Sequence, residues 1–365
     1  MNPQEEHWMV TLQVVFYPAL AIVGIPCEAI NCNVYTVRRL RQRYRETGWT
    51  ADPNIVTFLI FWRRNCLLSK SSTFYLMAIS VADTLVLIFI VVLEITVKFY
   101  QEEPFWSREP WCRLSDIFSY GAYNTSTWLV VVFTAERFIA IHTWAIKTKL
   151  CTPRSALAAI TTILLLSHLL AIPYYWTNVS VYDHNQTKWA CIYEPEAPHG
   201  YVHALVGAQT LVAYVLPFLI ILTLNGLTLR QISLSNRVHV LTAANLTSGA
   251  YRVTPLLRSR KRRSVVLLVT VSMSFVLLSV TRAITQIIIR TFFYGQDRND
   301  YNLQINVAAD IGSMLSLSNA AINTYLYACT QAKFRQVFIT CVRQVLSHCK
   351  TNKTLPSTRP AIYHL

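Results

Sequence analysis

One apolar stretch, Trp111–His142, constrains the fold of this chain more than any other part of it. It is long enough to cross a lipid bilayer as a helix, since about 20 residues suffice at about 1.5 Å each. Small polar residues nevertheless occupy its middle: Ser115, Ser119, Asn124, Thr125, Ser126 and Thr127. Because unpaired polar groups are costly in hydrocarbon, a helix with lipid on all sides would not carry them. The stretch is therefore predicted to lie at the centre of a bundle of membrane helices.

The composition also favours a membrane protein. The chain is 53% hydrophobic and only 14% charged, whereas soluble domains have about 25% charged residues. A net charge of +15 could indicate nucleic-acid binding, but the basic residues cluster between apolar runs and no zinc-finger or RNA-binding motif accompanies them. They are interpreted as cytoplasmic loops, so nucleic acid is not an expected partner.

Seven apolar stretches are predicted to cross the membrane. Their approximate ranges are 12–37, 72–100, 111–142, 155–176, 201–229, 264–292 and 305–329. Acidic residues precede the first and a run of arginines follows it, so the positive-inside rule places the N-terminus outside. We expect an all-α membrane protein, a seven-transmembrane helix bundle (11–329), with an extracellular N-terminus (1–10) and a cytoplasmic tail (330–365). That tail would begin with a short amphipathic helix on the membrane lipid, Lys333–Phe338.

The apolar patch Phe58–Trp62 is too short to span a bilayer, and Arg63 and Arg64 follow it directly. It is predicted to form a short helix or a loop on the membrane surface. The N-terminus lacks the basic segment of a signal peptide, so the first span is expected to direct its own insertion.

An ordered set of motifs resembles those of class A (rhodopsin-like) G-protein-coupled receptors. The set comprises Asp83, Cys112, the box Glu136-Arg137-Phe138, Cys191, Pro217, and Asn323 with Tyr327. The resemblance implies a multi-pass receptor of the plasma membrane that binds an extracellular ligand and activates a heterotrimeric G protein. It implies no enzymatic activity, and the sequence contains no catalytic or phosphate-binding motif.

The resemblance also implies roles for residues at the two faces of the membrane. Cys112 is expected to form a disulfide with Cys191 of the second outer loop. The sequons at Asn178 and Asn185 in that loop are predicted glycosylation sites. At the inner end, the coupling switch for the G protein is expected to comprise Glu136, Arg137, Phe138 and Tyr327.

A sodium pocket is implied beneath the ligand site, formed by Asp83, Ser126, Asn319 and Asn323. Hard cations prefer oxygen ligands, which these side chains supply. Glu28, where the first helix of the family has asparagine, would add a second carboxyl group. The alternative is a network of hydrogen bonds with water. No cofactor other than this structural sodium ion is expected.

Three positions depart from the family's activation motifs. Ser279 and Thr281 align with its sixth-helix tryptophan and proline, and Thr324 replaces the proline of N-P-x-x-Y. The base of the sixth helix, Arg260-Lys261-Arg262, would repel Arg137 instead of restraining it. We therefore expect a weaker inactive lock and some basal signalling.

The expected ligand site contains Arg282 and Asp116 near the outer face. A buried arginine needs an anionic partner, which the protein or a ligand must supply. Two alternatives follow: a salt bridge between these residues, or a clamp in which Arg282 binds a carboxylate and Asp116 an ammonium. The other expected ligand-binding residues are Ser119, Tyr120, Tyr123 and Gln286.

Within class A, the chain looks most like the orphan receptors that sense tryptophan and phenylalanine, which are close to the FMRFamide-type peptide receptors. A small zwitterionic ligand resembling an aromatic amino acid is therefore expected. The alternatives are a neuropeptide receptor, a transporter or channel, and a receptor-like protein deficient in signalling.

Overall fold

The computed structural model of the chain describes residues 7–24, 53–63, 68–92, 107–142, 144–183, 188–245, 255–293 and 300–340. Most of these residues are helical. The longer helices are α1 (Trp8–Gly24), α2 (Pro53–Arg63), α3 (Lys70–Val86), α4 (Trp111–His142), α5 (Trp144–Leu150), α6 (Pro153–Ala171), α7 (His199–Thr210), α8 (Leu216–Asn245), α9 (Pro255–Phe292) and α10 (Gln304–Thr330). A final helix, α11, covers 332–340.

Local sequence explains several boundaries and continuations of these helices. The Ser69 hydroxyl accepts a hydrogen bond from the Ser72 backbone and caps α3, and Thr152 caps α6 in the same way. Three continuations are not α-helical: α3 runs into the π-helix Leu87–Val92, α6 runs into the 3₁₀-helix Ile172–Trp176, and the π-helix Leu211–Val215 joins α7 to α8.

A β-hairpin lies across one end of α4. Its strands, β1 (Asn178–Asp183) and β2 (Lys188–Tyr193), are antiparallel and pair Ser180 with Cys191. The predicted disulfide between Cys191 and Cys112 is confirmed. It fastens the hairpin to the first turn of α4, and we call this end of the helices the hairpin end.

The central position predicted for α4 agrees with its packing, since α4 contacts α3, α6, α8 and α9. Its polar middle is buried on every side from residue 121 to residue 127. The Asn124 amide exchanges two hydrogen bonds with Gln209 of α7, and Thr125 donates to the Gly121 carbonyl oxygen. The polar groups that lipid could not satisfy are therefore paired inside the helix packing.

Four helical stretches in the described part of the chain are long and apolar enough to cross a membrane. They are Lys70–Val92, Pro153–Trp176, His199–Leu234 and Val265–Ile289. The helices α4 and α10 are more polar, and their polar residues are largely buried by neighbouring helices.

The helices α1 and α2 lie one beyond the other along α10. Gln13 of α1 hydrogen-bonds Asp310 near the hairpin end of α10, whereas Thr57 of α2 bonds Thr324 much further along it. The first predicted span, 12–37, overlaps α1 at residues 12–24, and its residues 25–37 lie outside the described residues.

The short helix predicted at Phe58–Trp62 is confirmed as part of α2; Trp62 is 66% exposed, but one face of the patch is buried and not on the surface as predicted. Within this patch Ile60 and Phe61 are only 2% and 3% exposed. The Phe61 ring packs against Tyr327 of α10 and Phe334 of α11, with ring centroids 5.6 and 5.3 Å apart. Tertiary packing has therefore taken a segment too short to span a bilayer into the core.

Candidate functional site

A buried polar cluster lies where α3, α4 and α10 meet. Asp83 is fully buried, and its carboxylate accepts hydrogen bonds from Ser126 Oγ at 2.6 Å and Asn323 Nδ2 at 2.7 Å. Asn319, one turn before Asn323 on α10, is 5% exposed. The structure thus brings together Asp83, Ser126 and Asn323 of the predicted pocket, with Asn319 buried one turn along α10, while Glu28 lies outside the described residues.

Two oxygens of this cluster, Asn319 Oδ1 and Asn323 Oδ1, are buried acceptors without a hydrogen-bond partner in the described part of the chain. A buried acceptor without a donor costs about 1–3 kcal/mol. A hard cation or a water molecule would satisfy both oxygens, and the carboxylate of Asp83 supplies a compensating negative charge for a cation. The donor set therefore fits a small cation held by oxygen ligands.

At the opposite end of α4, Arg137 is enclosed by partners that the chain itself supplies. Its guanidinium forms an ion pair with Glu136, donates to Ser69 Oγ at 3.1 Å, and lies 5.9 Å from the centroid of the Phe133 ring. Glu136 also accepts a hydrogen bond from Ser71 Oγ at 2.8 Å. Arg137 is only 8% exposed, so Glu136 neutralises a charge that has little contact with solvent.

The remaining residues of the predicted switch surround this pair less directly. Tyr327 is fully buried and its hydroxyl has no hydrogen-bond partner in the described residues, while Phe138 is half-buried. The Asn225 amide joins α8 to α9 by donating to Ser272 Oγ at 2.7 Å. The side chains of Arg260–Arg262 lie outside the described ones.

The missing prolines leave both α9 and α10 as continuous helices. At Thr324, which stands where the family has a proline, the Oγ1 atom lies 2.8 Å from Thr57 Oγ1 and joins α10 to α2. Ser279, at the position of the family's tryptophan, has its Oγ atom 3.4 Å from Ser316 Oγ and joins α9 to α10. At Thr324 a contact between helices therefore replaces a proline kink.

Towards the hairpin end, Arg282 of α9 has a buried guanidinium with donors to spare. Its Nε and Nη1 atoms have no hydrogen-bond partner within the described part of the chain. Its Cζ atom lies 5.1 Å from the centroid of the Tyr123 ring, a distance at which the ring face attracts a cation. An aromatic face offsets part of the cost of burying the charge but accepts no conventional hydrogen bond from it.

Tyrosines form the walls beside Arg282. Tyr123 packs against Tyr214, with ring centroids 6.0 Å apart, and its hydroxyl lies 2.9 Å from Ser316 Oγ. Tyr120 stacks on Tyr174 at 3.9 Å. The surroundings of the guanidinium are therefore aromatic and hydroxylic, and they contain no described carboxylate in contact with it.

The predicted salt bridge between Asp116 and Arg282 is absent from the described residues. Asp116 instead accepts a hydrogen bond from Asn178 Nδ2 at 2.8 Å. Asn178 is only 8% exposed and uses its amide in this contact, and its glycosylation stays a prediction. The second predicted glycosylation site, Asn185, lies outside the described residues.

The other two residues predicted to bind the ligand are Ser119 and Gln286. Ser119 donates its hydroxyl to the Phe89 carbonyl oxygen at 3.0 Å, so that hydroxyl is already used between α4 and the π-helix after α3. Gln286 is half-buried one turn beyond Arg282 on α9.

Sequence reasoning missed the residues that hold the functional side chains from neighbouring elements. Ser71 and Ser69 hold Glu136 and Arg137 from α3. The sequon at Asn178 predicted a glycan, whereas in the structure this amide donates to Asp116. Gly312 was missed as well: a Cβ atom there would lie 2.8 Å from the Arg282 backbone nitrogen, so this glycine lets α10 approach α9 beside Arg282.

Known proteins resemble this chain in sequence. The profile of the family described as 7 transmembrane receptor (rhodopsin family) matches residues 53–327. The chain is also similar to a mouse (Mus musculus) protein named probable G-protein coupled receptor 142, with 24% identity over 281 residues. That alignment covers 76% of this chain and 66% of the mouse protein, a little under two thirds of its length.

Proposed function

This chain belongs to the rhodopsin family of seven-transmembrane receptors, and we propose that it binds a small zwitterionic ligand outside the cell and activates a heterotrimeric G protein inside. The proposed ligand resembles an aromatic amino acid, as expected of the orphan receptors that sense tryptophan and phenylalanine. The proposed location is the plasma membrane, with the hairpin end outside. Similarity to a mouse probable G-protein coupled receptor supports the coupling.

The proposed bundle has seven spans, of which α1 and α2 together supply the first. Two observations support this assignment. Both helices lie against α10 in succession, and the family match begins at residue 53, the first residue of α2. The other spans would be α3, α4, α6, α7 with α8, α9 and α10, followed by α11 on the inner membrane surface.

The single observation that carries the ligand assignment is the pair of unpartnered, buried donors Nε and Nη1 of Arg282. A buried guanidinium remains charged, so its free donors favour an anionic acceptor. A carboxylate matches the planar donor array better than a single oxygen would. The rings of Tyr123 and Tyr120 would contact the aromatic group of the ligand, and Asp116 its ammonium.

The test is a G-protein activation assay on cells expressing the wild type, Arg282→Ala and Arg282→Lys, challenged with each of the twenty amino acids. We expect a response to phenylalanine or tryptophan that Arg282→Ala abolishes and that the lysine variant only partly restores, because lysine keeps the charge but loses the planar donor array. Arg113→Ala is the matched control, since Arg113 already pairs with Glu109. An unaltered response in Arg282→Ala would contradict the assignment.

A sodium ion in the Asp83 cluster is proposed as a structural regulator of the receptor. The unpartnered oxygens of Asn319 and Asn323 support it. Replacing sodium by choline in the assay medium should increase potency for the ligand in wild type, if the ion stabilises the inactive state, and should have no effect in Asp83→Asn. Equal sensitivity of both proteins would indicate a hydrogen-bonded water network in its place.

A further inference from the structure

The contact between Asn178 and Asp116 joins the hairpin to the ligand site. Asn178 is the first residue of β1, and its amide donates to Asp116 Oδ2. Asp116 lies one helical turn beyond Cys112, the residue whose disulfide fastens the hairpin. The disulfide therefore restrains both the strand that carries Asn178 and the helical turn that carries Asp116.

Further bonds fix the strand that carries Asn178. Ser180, paired in register with Cys191, donates its hydroxyl to the Ser107 carbonyl oxygen at 2.5 Å. The Glu194 backbone amide donates to the Thr177 carbonyl oxygen at 2.9 Å, immediately before Asn178. Hydrogen bonds at Thr177 and Ser180 thus restrain the chain on both sides of Asn178.

The bond leaves one oxygen of Asp116 available. Oδ2 accepts from Asn178, and Oδ1 has no hydrogen-bond partner among the described residues. A carboxyl group rotates easily about the bond to Cβ, because this torsion is broad. A donor that holds one oxygen restricts the rotation and fixes the direction of the other.

We propose that Asn178 is a positioning residue of the ligand site, which orients Asp116 so that its free oxygen meets the ammonium group of the ligand. This inference rests on the proposed function, in which Asp116 is the ammonium partner. A glycan would be attached through the same nitrogen that donates to Asp116, and Asn178 is only 8% exposed. The proposal therefore also implies that the Asn178 sequon is unoccupied.

The test compares phenylalanine with 3-phenylpropionic acid, which lacks the amino group, in a G-protein activation assay. Asn178→Ala should lower the potency of phenylalanine about tenfold, the size of effect expected for a hydrogen bond to a charged group. It should leave the potency of 3-phenylpropionic acid unchanged. Asn178→Gln, which keeps the amide, should retain part of the phenylalanine potency.

Asn302→Ala is the matched control, because it removes an exposed asparagine amide that bonds Asp300 and not Asp116. It should leave the ratio of the two potencies unchanged. A second measurement needs no ligand: the Asn185→Gln receptor, treated with a peptide N-glycosidase, should show no mobility shift on an electrophoretic gel. A shift that disappears in Asn178→Gln/Asn185→Gln would overturn the inference.

The ligand assay separates this inference from the proposed function. If the wild type responds and Asn178→Ala shifts both potencies equally, or neither, Asn178 does not orient the ammonium partner, and the proposed function stands. If the wild type at normal surface expression responds to neither compound, the proposed function is contradicted, and the positioning role with it.

Discussion

Arg137 and Arg282 lie at opposite ends of the same helix packing, and they differ in whether the described residues supply an acidic partner. Arg137 has an acidic partner, Glu136, directly before it in the chain, and a serine hydroxyl from α3. Arg282 has the face of Tyr123 and no described acidic contact. One charge is thus neutralised by the protein itself, whereas the other has no described acidic partner and would be neutralised by the proposed ligand.

The difference arises in the surroundings of the two carboxylates. Ser71 donates to Glu136 beside Arg137, whereas Asn178 donates to Asp116, which forms no described ion pair with Arg282. At each end of the bundle a neutral side chain thus bonds the carboxylate. We expect the first arrangement to favour the inactive state, and the second to keep the ligand site open.

The largest effect should come from making Arg137 resemble Arg282. Glu136→Gln removes the acidic partner of a buried arginine, a change that costs about 3–5 kcal/mol when no other partner replaces it. The inactive state should be destabilised, and ligand-free signalling should rise several-fold. The measurement is basal G-protein activation at matched surface expression.

The control for this prediction is Glu109→Gln. Glu109 also forms an ion pair, with Arg113 at 2.9 Å, but its side chain is 42% exposed. Solvent screens such a pair, so basal signalling should not change. Absence of ligand-free signal in both Glu136→Gln and wild type would refute the expected weak lock.

A smaller effect is expected from moving Arg282 without removing it. In Gly312→Ala the new Cβ would lie 2.8 Å from the Arg282 backbone nitrogen and 2.9 Å from its Cα. Because backbone atoms cannot rotate away, α9 and α10 must separate, which costs about 1–3 kcal/mol. Thermal unfolding of the purified receptor should show a lower midpoint, and ligand potency should fall.

Gly226→Ala is the matched substitution, since a Cβ atom there would meet nothing within 4 Å. It should leave the unfolding midpoint unchanged or raise it slightly, because alanine favours a helix more than glycine does. Equal midpoints for the Gly312 and Gly226 variants would mean that α9 and α10 tolerate separation beside Arg282.

The bond between Thr57 and Thr324 should contribute less than either change above. Both hydroxyls are fully buried, and they join α2 to α10 at the position of the missing proline. Thr57→Val keeps the shape and leaves Thr324 without this partner, which should cost about 1 kcal/mol of unfolding free energy. Thr57→Ser, which retains a hydroxyl, should lose less; an indistinguishable loss would show that the bond does not contribute.

The smallest effect is expected at Cys151, whose thiol responds to the charge of Glu136 and can be followed without a signalling assay. Burial and the nearby Glu136 charge raise the pKa of this thiol above its usual value of 9.0. The thiolate is the reactive form, so alkylation of Cys151 by a maleimide should need a higher pH than alkylation of the amino acid cysteine in solution. Glu136→Gln should shift that pH profile downward; an unmoved profile would mean that the Glu136 charge does not reach Cys151.

The sequence was informative wherever one helix could be interpreted by itself. The polar middle of α4 predicted its burial, and resemblance to a family indicated which side chains approach Asp83. Glu136 and Arg137 are adjacent in sequence, so their contact needed only a buried setting. The Cys112–Cys191 disulfide followed from resemblance to a family.

The sequence was less informative where distant segments determine a contact. The direction of Asp116 depends on the register of the hairpin and on the burial of Asn178, and neither leaves a periodic pattern. The patch Phe58–Trp62 was misplaced for the same reason, since its length excludes a span but does not exclude packing beside Tyr327. In both cases tertiary contacts override what local length and composition suggest.

The central claim is that Arg282 selects a carboxylate, and the most direct test compares phenylalanine with phenethylamine, which lacks that group. In a G-protein activation assay the wild type should prefer phenylalanine by about 100-fold, the size expected for charge-assisted hydrogen bonds in a buried site. Arg282→Ala should respond to the two compounds with similar, low potency. A preference of the same size in Arg282→Ala and wild type would contradict the account.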